Sequence, residues 1–122
     1  MVAQRMYWVL CEAIGAAETL REATGDASYD LDVDGFASWA RAHIIERPGE
    51  WPEELDAKNS PASGTWVGKP DIYHALQATL MARLPVWPAI GQALAEGRLD
   101  EPNPLLPARA RKPHRRGFFG RA

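Results

Sequence analysis

Cysteine is nearly missing from this 122-residue chain, which carries only Cys11. One thiol excludes an internal disulfide and any cysteine-built zinc site, and it fits a reducing compartment. Long apolar runs are missing too: none approaches the roughly 20 residues that span a bilayer. The N-terminus lacks the basic-then-apolar layout of a secretory signal. A soluble, cytoplasmic protein without membrane association is therefore expected. Histidine is scarce, and His43, His74 and His114 form no His-x-x-x-His pair, so a protein-only metal site is not expected. Gly-rich phosphate loops and a Gly-x-Ser-x-Gly elbow are absent as well.

What is present is an ordinary globular composition, 46% hydrophobic and 25% charged, enough for one domain with a modest core. The net charge of -2 hides an asymmetry. Residues 101–122 carry six Arg/Lys against Glu101 alone, a net +5, whereas the first 100 residues hold eight Arg/Lys against fifteen acids, a net -7. Composition shifts after Leu99 to Pro, Arg and Gly without periodicity. We therefore divide the chain into a folded segment, 1–99, and a basic tail, 100–122, expected to be disordered. Arginines beside Phe118 and Phe119 could touch an anionic partner. With so acidic a body attached, nucleic acid is not the expected partner.

Hydrophobic spacing predicts an all-α chain of about four helices. Met6, Val9, Leu10, Ala13, Ile14, Ala17 and Leu20 recur at helical steps over residues 4–24, and Gly25 stands where a C-terminal cap belongs. A second helix is expected over residues 30–46, with Leu31, Phe36, Trp39, Ala40, His43 and Ile44 as its buried stripe. A short polar link between the two suggests an antiparallel hairpin. Pro48, Gly49, Pro52, Pro61, Gly64 and Gly68 then break the pattern. A long loop is expected there, with a short β-hairpin near residues 50–55, pinned by Trp51 and Trp66. A third helix is expected over 70–83, opened by Pro70 and Asp71, and a short fourth over 88–96.

His74, about one turn into the third helix, is the candidate for chemistry. The positive end of the helix disfavours imidazolium, leaving a ring able to accept a proton. A face of Gln77, Ala78 and Met81 beside it suits a helix that lines a pocket. Spacing alone serves as well for a packed, hydrogen-bonded histidine. Trp8 and Glu12, four residues apart, share a face of the first helix. An indole can cover sugar C–H groups while a carboxylate accepts from hydroxyls, although a core tryptophan near a surface glutamate has the same spacing. His43 reads as a structural residue of the second helix, and His114 as a solvated one.

Three blocks carry a family resemblance. Tyr7-Trp8-Val9-Leu10-Cys11-Glu12-Ala13-Ile14, Gly49-Glu50-Trp51-Pro52-Glu53-Glu54-Leu55-Asp56 and Trp66-Val67-Gly68-Lys69-Pro70-Asp71-Ile72-Tyr73-His74-Ala75-Leu76-Gln77 resemble, in order, the C-terminal part of the N-acylglucosamine 2-epimerase superfamily. The third block is similar to its mannose isomerase and sulfoquinovose isomerase branch. The resemblance implies the C-terminal part of an (α/α)6 barrel, a monosaccharide substrate and no metal or other cofactor. His74 would match one of two catalytic histidines that move a proton between C1 and C2 of an aldose through an enediol. Trp8 and Glu12 would match sugar-contacting residues. The other catalytic histidine, its neighbouring glutamate and an N-terminal arginine lie upstream of these blocks in the family. The expectation is thus a truncated sugar isomerase with an incomplete site, self-associating through exposed helix faces. A sugar 2-epimerase fragment and a non-catalytic helical module with an anion-binding tail are the alternatives.

Overall fold

Small residues recurring along residues 7–24 let two other helices approach the first closely, and that helix organises the chain. In the computed structural model, residues 3–101 are described. They run β1 (Arg5–Met6), α1 (Tyr7–Thr24), α2 (Ser28–His43), β2 (Glu54–Leu55), β3 (Pro61–Ala62), α3 (Tyr73–Met81) and α4 (Ile90–Ala95). Helix α1 packs against both α2 and α3. Its end is the expected one: Gly25 takes a left-handed φ of 70° and its N–H donates to the Arg21 carbonyl at 2.9 Å. That conformation costs a glycine little and satisfies an otherwise orphaned carbonyl.

The core joins Tyr7, Cys11 and Ile14 of α1 to Ala75 and Ala78 of α3, with Ile44 after α2 and Leu55 of β2. Leu10, Phe36, Trp39 and Trp51 pack around it. Alanines on α3 permit the close approach, and a Cβ added at Gly15 of α1 would lie 2.6 Å from Met81 Sδ. Burial of Leu55, which is 0% exposed, contributes roughly 1.5–3 kcal/mol.

Several expectations need correction. The chain is mostly helical but not purely so, because β1, β2 and β3 form an antiparallel sheet in that order. Arg5 pairs with Leu55 and Met6 with Glu54, so the first helix begins at Tyr7 instead of residue 4. The hairpin joins β2 to β3, turning where Asp56 Oδ1 accepts the Lys58 and Ser60 amides at 2.7 and 2.9 Å. It therefore starts at the end of the expected residues 50–55 and runs on to Ala62. Helix α2 starts and stops about two residues early, leaving Leu31 and His43 exposed. Of that stripe Ala40 and Ile44 are buried and Phe36 and Trp39 pack against the core, Ala37 is buried besides, and the His43 ring rests on Trp39, centroids 5.0 Å apart. The third helix opens at Tyr73, three residues after Pro70. Of the two loop tryptophans only Trp51 is a pin, its ring 6.0 Å from that of Tyr7, whereas Trp66 is 57% exposed.

Helix α4 is shorter than its predicted span. Beyond it, Asp100 is tied to Arg83 by a two-pronged ion pair at 2.9 and 2.6 Å, and Glu101 to Arg98 at 2.8 Å. The basic tail from residue 102 onward, with His114, lies outside the described residues.

Candidate functional site

Trp8 and Glu12 sit one turn apart on α1, and the α1–α3 contact brings His74 onto both. Nδ1 of His74 lies 2.7 Å from Glu12 Oε1. A carboxylate only accepts, so Nδ1 donates in this bond and Nε2 is left for another partner. The Trp8 indole lies 5.8 Å from the His74 ring at an interplanar angle of 37°, and Tyr73 meets that ring edge-on at 5.0 Å. His74 and Glu12 keep 25% and 47% of their side chains exposed, so the pair faces outward from the core. The three residues singled out from sequence are neighbours. Their arrangement is a partly open patch with an oriented imidazole, a carboxylate and an indole face. It can accept or deliver a proton and bind hydroxyl and C–H surfaces side by side.

Tyr7 and Glu53, which sequence reasoning gave no role, and Asp71, expected only to open the third helix, hold this patch. Tyr7, buried beneath it, donates its hydroxyl to the Asp71 carbonyl at 2.8 Å and meets the His74 ring edge-on at 6.3 Å. Burial first, then the Asp71 hydrogen bond, raises the phenol above its ordinary pKa. The Asp71 carboxylate accepts the Tyr73 amide at 2.8 Å and caps the start of α3. The nearby Tyr7 hydroxyl, ahead of the α3 amides, holds that carboxyl below its ordinary range. His74 is consequently the second residue of its helix, closer to the positive end than expected. Glu53 is raised by partial burial and by the Asp71 and Glu54 carboxylates, with His74 opposing. Its carbonyl accepts the Tyr7 amide at 3.1 Å. Tyr7 and Asp71 stand within the quoted sequence blocks; what hid them was the 64-residue separation that only folding closes.

His43 stands apart on α2 and makes no contact with the patch among the interactions described for it. Among the described residues, no three His, Cys, Asp or Glu side chains are placed to hold a metal ion. No helix there is long and apolar enough to cross a membrane.

Comparison with known proteins bears on the same stretch. The N-acylglucosamine 2-epimerase (GlcNAc 2-epimerase) family profile matches residues 1–78, which carry Trp8, Glu12 and His74. The chain belongs to the N-acylglucosamine 2-epimerase family. Among relatives of this family, a D-mannose isomerase from Thermobifida fusca is 42% identical over 97 residues, covering 78% of this chain and 24% of the relative. A D-mannose isomerase from Pseudomonas cannabina pv. alisalensis is 38% identical over 96 residues, covering 78% of this chain and 23% of the relative. The chain thus spans about a quarter of the length of these curated relatives.

Proposed function

We propose that this chain carries one wall of a sugar-isomerase active site, acting on an aldose–ketose pair of the D-mannose and D-fructose kind. The observation that carries the reading is the convergence of His74, Glu12 and Trp8 at 2.7 and 5.8 Å within a stretch similar to D-mannose isomerases. In this reading Nε2 of His74 is the acid–base atom at the sugar. Removing the C2 proton of the open-chain aldose gives an enediol, a proton returned to C1 gives the ketose, and one proton passes from O2 to O1. Glu12 holds the imidazole in the required tautomer and accepts from sugar hydroxyls with its other oxygen. Trp8 covers the C–H face. General acid–base transfer supplies about 10²–10⁴-fold per group, so a second such group, contributed from outside this wall, would be needed for full activity.

The helical pairs and exposed faces of Trp8, Val9, Ile72 and Leu76 support a place for residues 1–99 in an (α/α)6 barrel. They equally support self-association of the isolated chain. The family profile, named for a 2-epimerase, supports a second reading in which the proton returns to C2 on the opposite face. Product analysis separates the two, because isomerisation of D-mannose gives fructose and 2-epimerisation gives glucose. Incubating the purified 122-residue chain with D-mannose tests the one-wall reading. Only trace conversion is expected, and turnover comparable to a complete isomerase would overturn it.

A further inference from the structure

Glu54 lies outside the His74, Glu12 and Trp8 patch, yet its side chain is wholly buried. A buried carboxylate is costly unless its oxygens are fully hydrogen-bonded. What meets them here are backbone amides from ten residues along the chain. The Gly64 amide donates to Oε1, and the Thr65 amide reaches Oε1 at 3.0 Å and Oε2 at 3.2 Å. Burial pushes the carboxyl pKa up, but the amides of Thr65, Gly64 and Trp66 outweigh it and hold the group below its ordinary range. The acid therefore stays charged and gripping at neutral pH.

The place of this grip gives it a consequence for the site. Glu54 is paired with Met6 across the sheet, and on the next rung the Tyr7 amide donates to the Glu53 carbonyl at 3.1 Å. Tyr7 in turn holds the Asp71 carbonyl. Residues 64–71 are thus clamped at both ends from adjacent rungs of one strand pair. His74 follows the second clamp by three residues, and Glu12 follows Tyr7 by just over a helical turn. We propose that Glu54 is a positioning residue of the site: by holding the amides of Gly64 and Thr65 it fixes the course of residues 64–71 and so places His74 against Glu12. The relevance to catalysis rests on the sugar-site reading above. The coupling itself exists without sugar.

The test uses the full 122-residue chain, with Glu54→Leu and Glu54→Gln followed by circular dichroism, amide hydrogen exchange and the NMR signals of the His74 ring. In Glu54→Leu the Gly64 and Thr65 amides should exchange at least tenfold faster while helicity is kept. The His74 ring signals should move in the direction seen in Glu12→Gln. Glu54→Gln keeps one acceptor oxygen and should restore the His74 signals most of the way. Faster amide exchange with unmoved His74 signals would overturn the proposal, since a purely stabilising carboxylate gives that result. Unchanged amide exchange would overturn it too. Should Glu54→Leu fail to fold, Glu54→Gln decides alone: a small His74 shift in the same direction supports the coupling, and none overturns it. All spectra are recorded without sugar, so a failure of the isomerase reading in an activity assay stays separate from this result.

Discussion

Cys11 precedes Glu12 on α1 but, unlike the partly exposed His74–Glu12 pair, is buried. Cys11 is buried against the core, and burial, helped by the neighbouring Glu12 and Asp71 carboxylates, pushes its thiol up to about 12. The thiolate is the reactive form, so Cys11 should resist a thiol reagent at pH 7.5 and react only on denaturation. Iodoacetamide labelling followed by mass spectrometry checks this, and rapid labelling of the native chain would contradict the packing described. Gly68 offers a second residue-scale test. Its φ of 132° lies where side chains are rarely accommodated, with open space around it. Gly68→Ala should therefore cost about 1–3 kcal/mol through backbone strain alone, measured by denaturant unfolding.

At the scale of elements, the α1–α3 contact and the small sheet carry the site. Gly15→Ala would drive Met81 Sδ from its place, but that atom lies near the end of a flexible and partly exposed side chain. The gain in helix propensity over glycine, about 1 kcal/mol, should offset the shift and leave stability within about 1 kcal/mol of the parent. Gly15→Leu cannot be relieved in that way and should cost at least about 1–3 kcal/mol. Thermal melts of the two variants distinguish close helix contact from a loose one. The two buried glutamates should oppose each other in pH dependence. Glu54 is held below its unfolded value, so its contribution is present above that value and is lost as pH falls through the lower folded one. Glu18 is raised, chiefly by burial and against the pull of Arg21 at 2.6 Å. Its folded form prefers the proton, so its contribution is present below the ordinary value of 4.5 and is lost as pH rises through the higher folded one. Glu54→Gln should then flatten the acid limb of a Tm-against-pH curve, and Glu18→Gln the limb above about pH 4.5.

These elements also show what the sequence discloses. Helix α1 and its Gly25 cap were legible because periodicity and capping are local. Trp8 and Glu12 were legible as a pair for the same reason, and the Gly-Lys-Pro-Asp stretch marked the approach to α3. The hairpin was legible only roughly, its first strand falling at the end of the expected residues 50–55, and its pairing with Arg5, fifty positions away, was not. The start of α3 was legible in part: Asp71 opens it as expected by accepting the Tyr73 amide, but Pro70 stays outside the helix. His43 was placed in the core by period alone, whereas α2 buries Ala37 and Ala40 and leaves His43 exposed.

For the whole molecule, the exposed apolar residues of α1, of α3 and of the segment leading into α3 lie on the elements that bear the site. Val9, Ile72 and Leu76 are 48%, 68% and 50% exposed. Such a surface should make the isolated chain self-associate at micromolar concentrations. Sedimentation velocity checks this, and a clean monomer would count against the exposed faces being barrel interior. The central claim is that His74, Glu12 and Trp8 form a working wall of a sugar-isomerase site. It is tested most directly by exchanging the matching stretch of the Thermobifida fusca D-mannose isomerase for that of this chain and measuring mannose-to-fructose kcat/KM. The chimera should turn over, and His74→Ala within it should lower kcat/KM at least 10²-fold. A folded, active chimera that tolerates His74→Ala would contradict the claim.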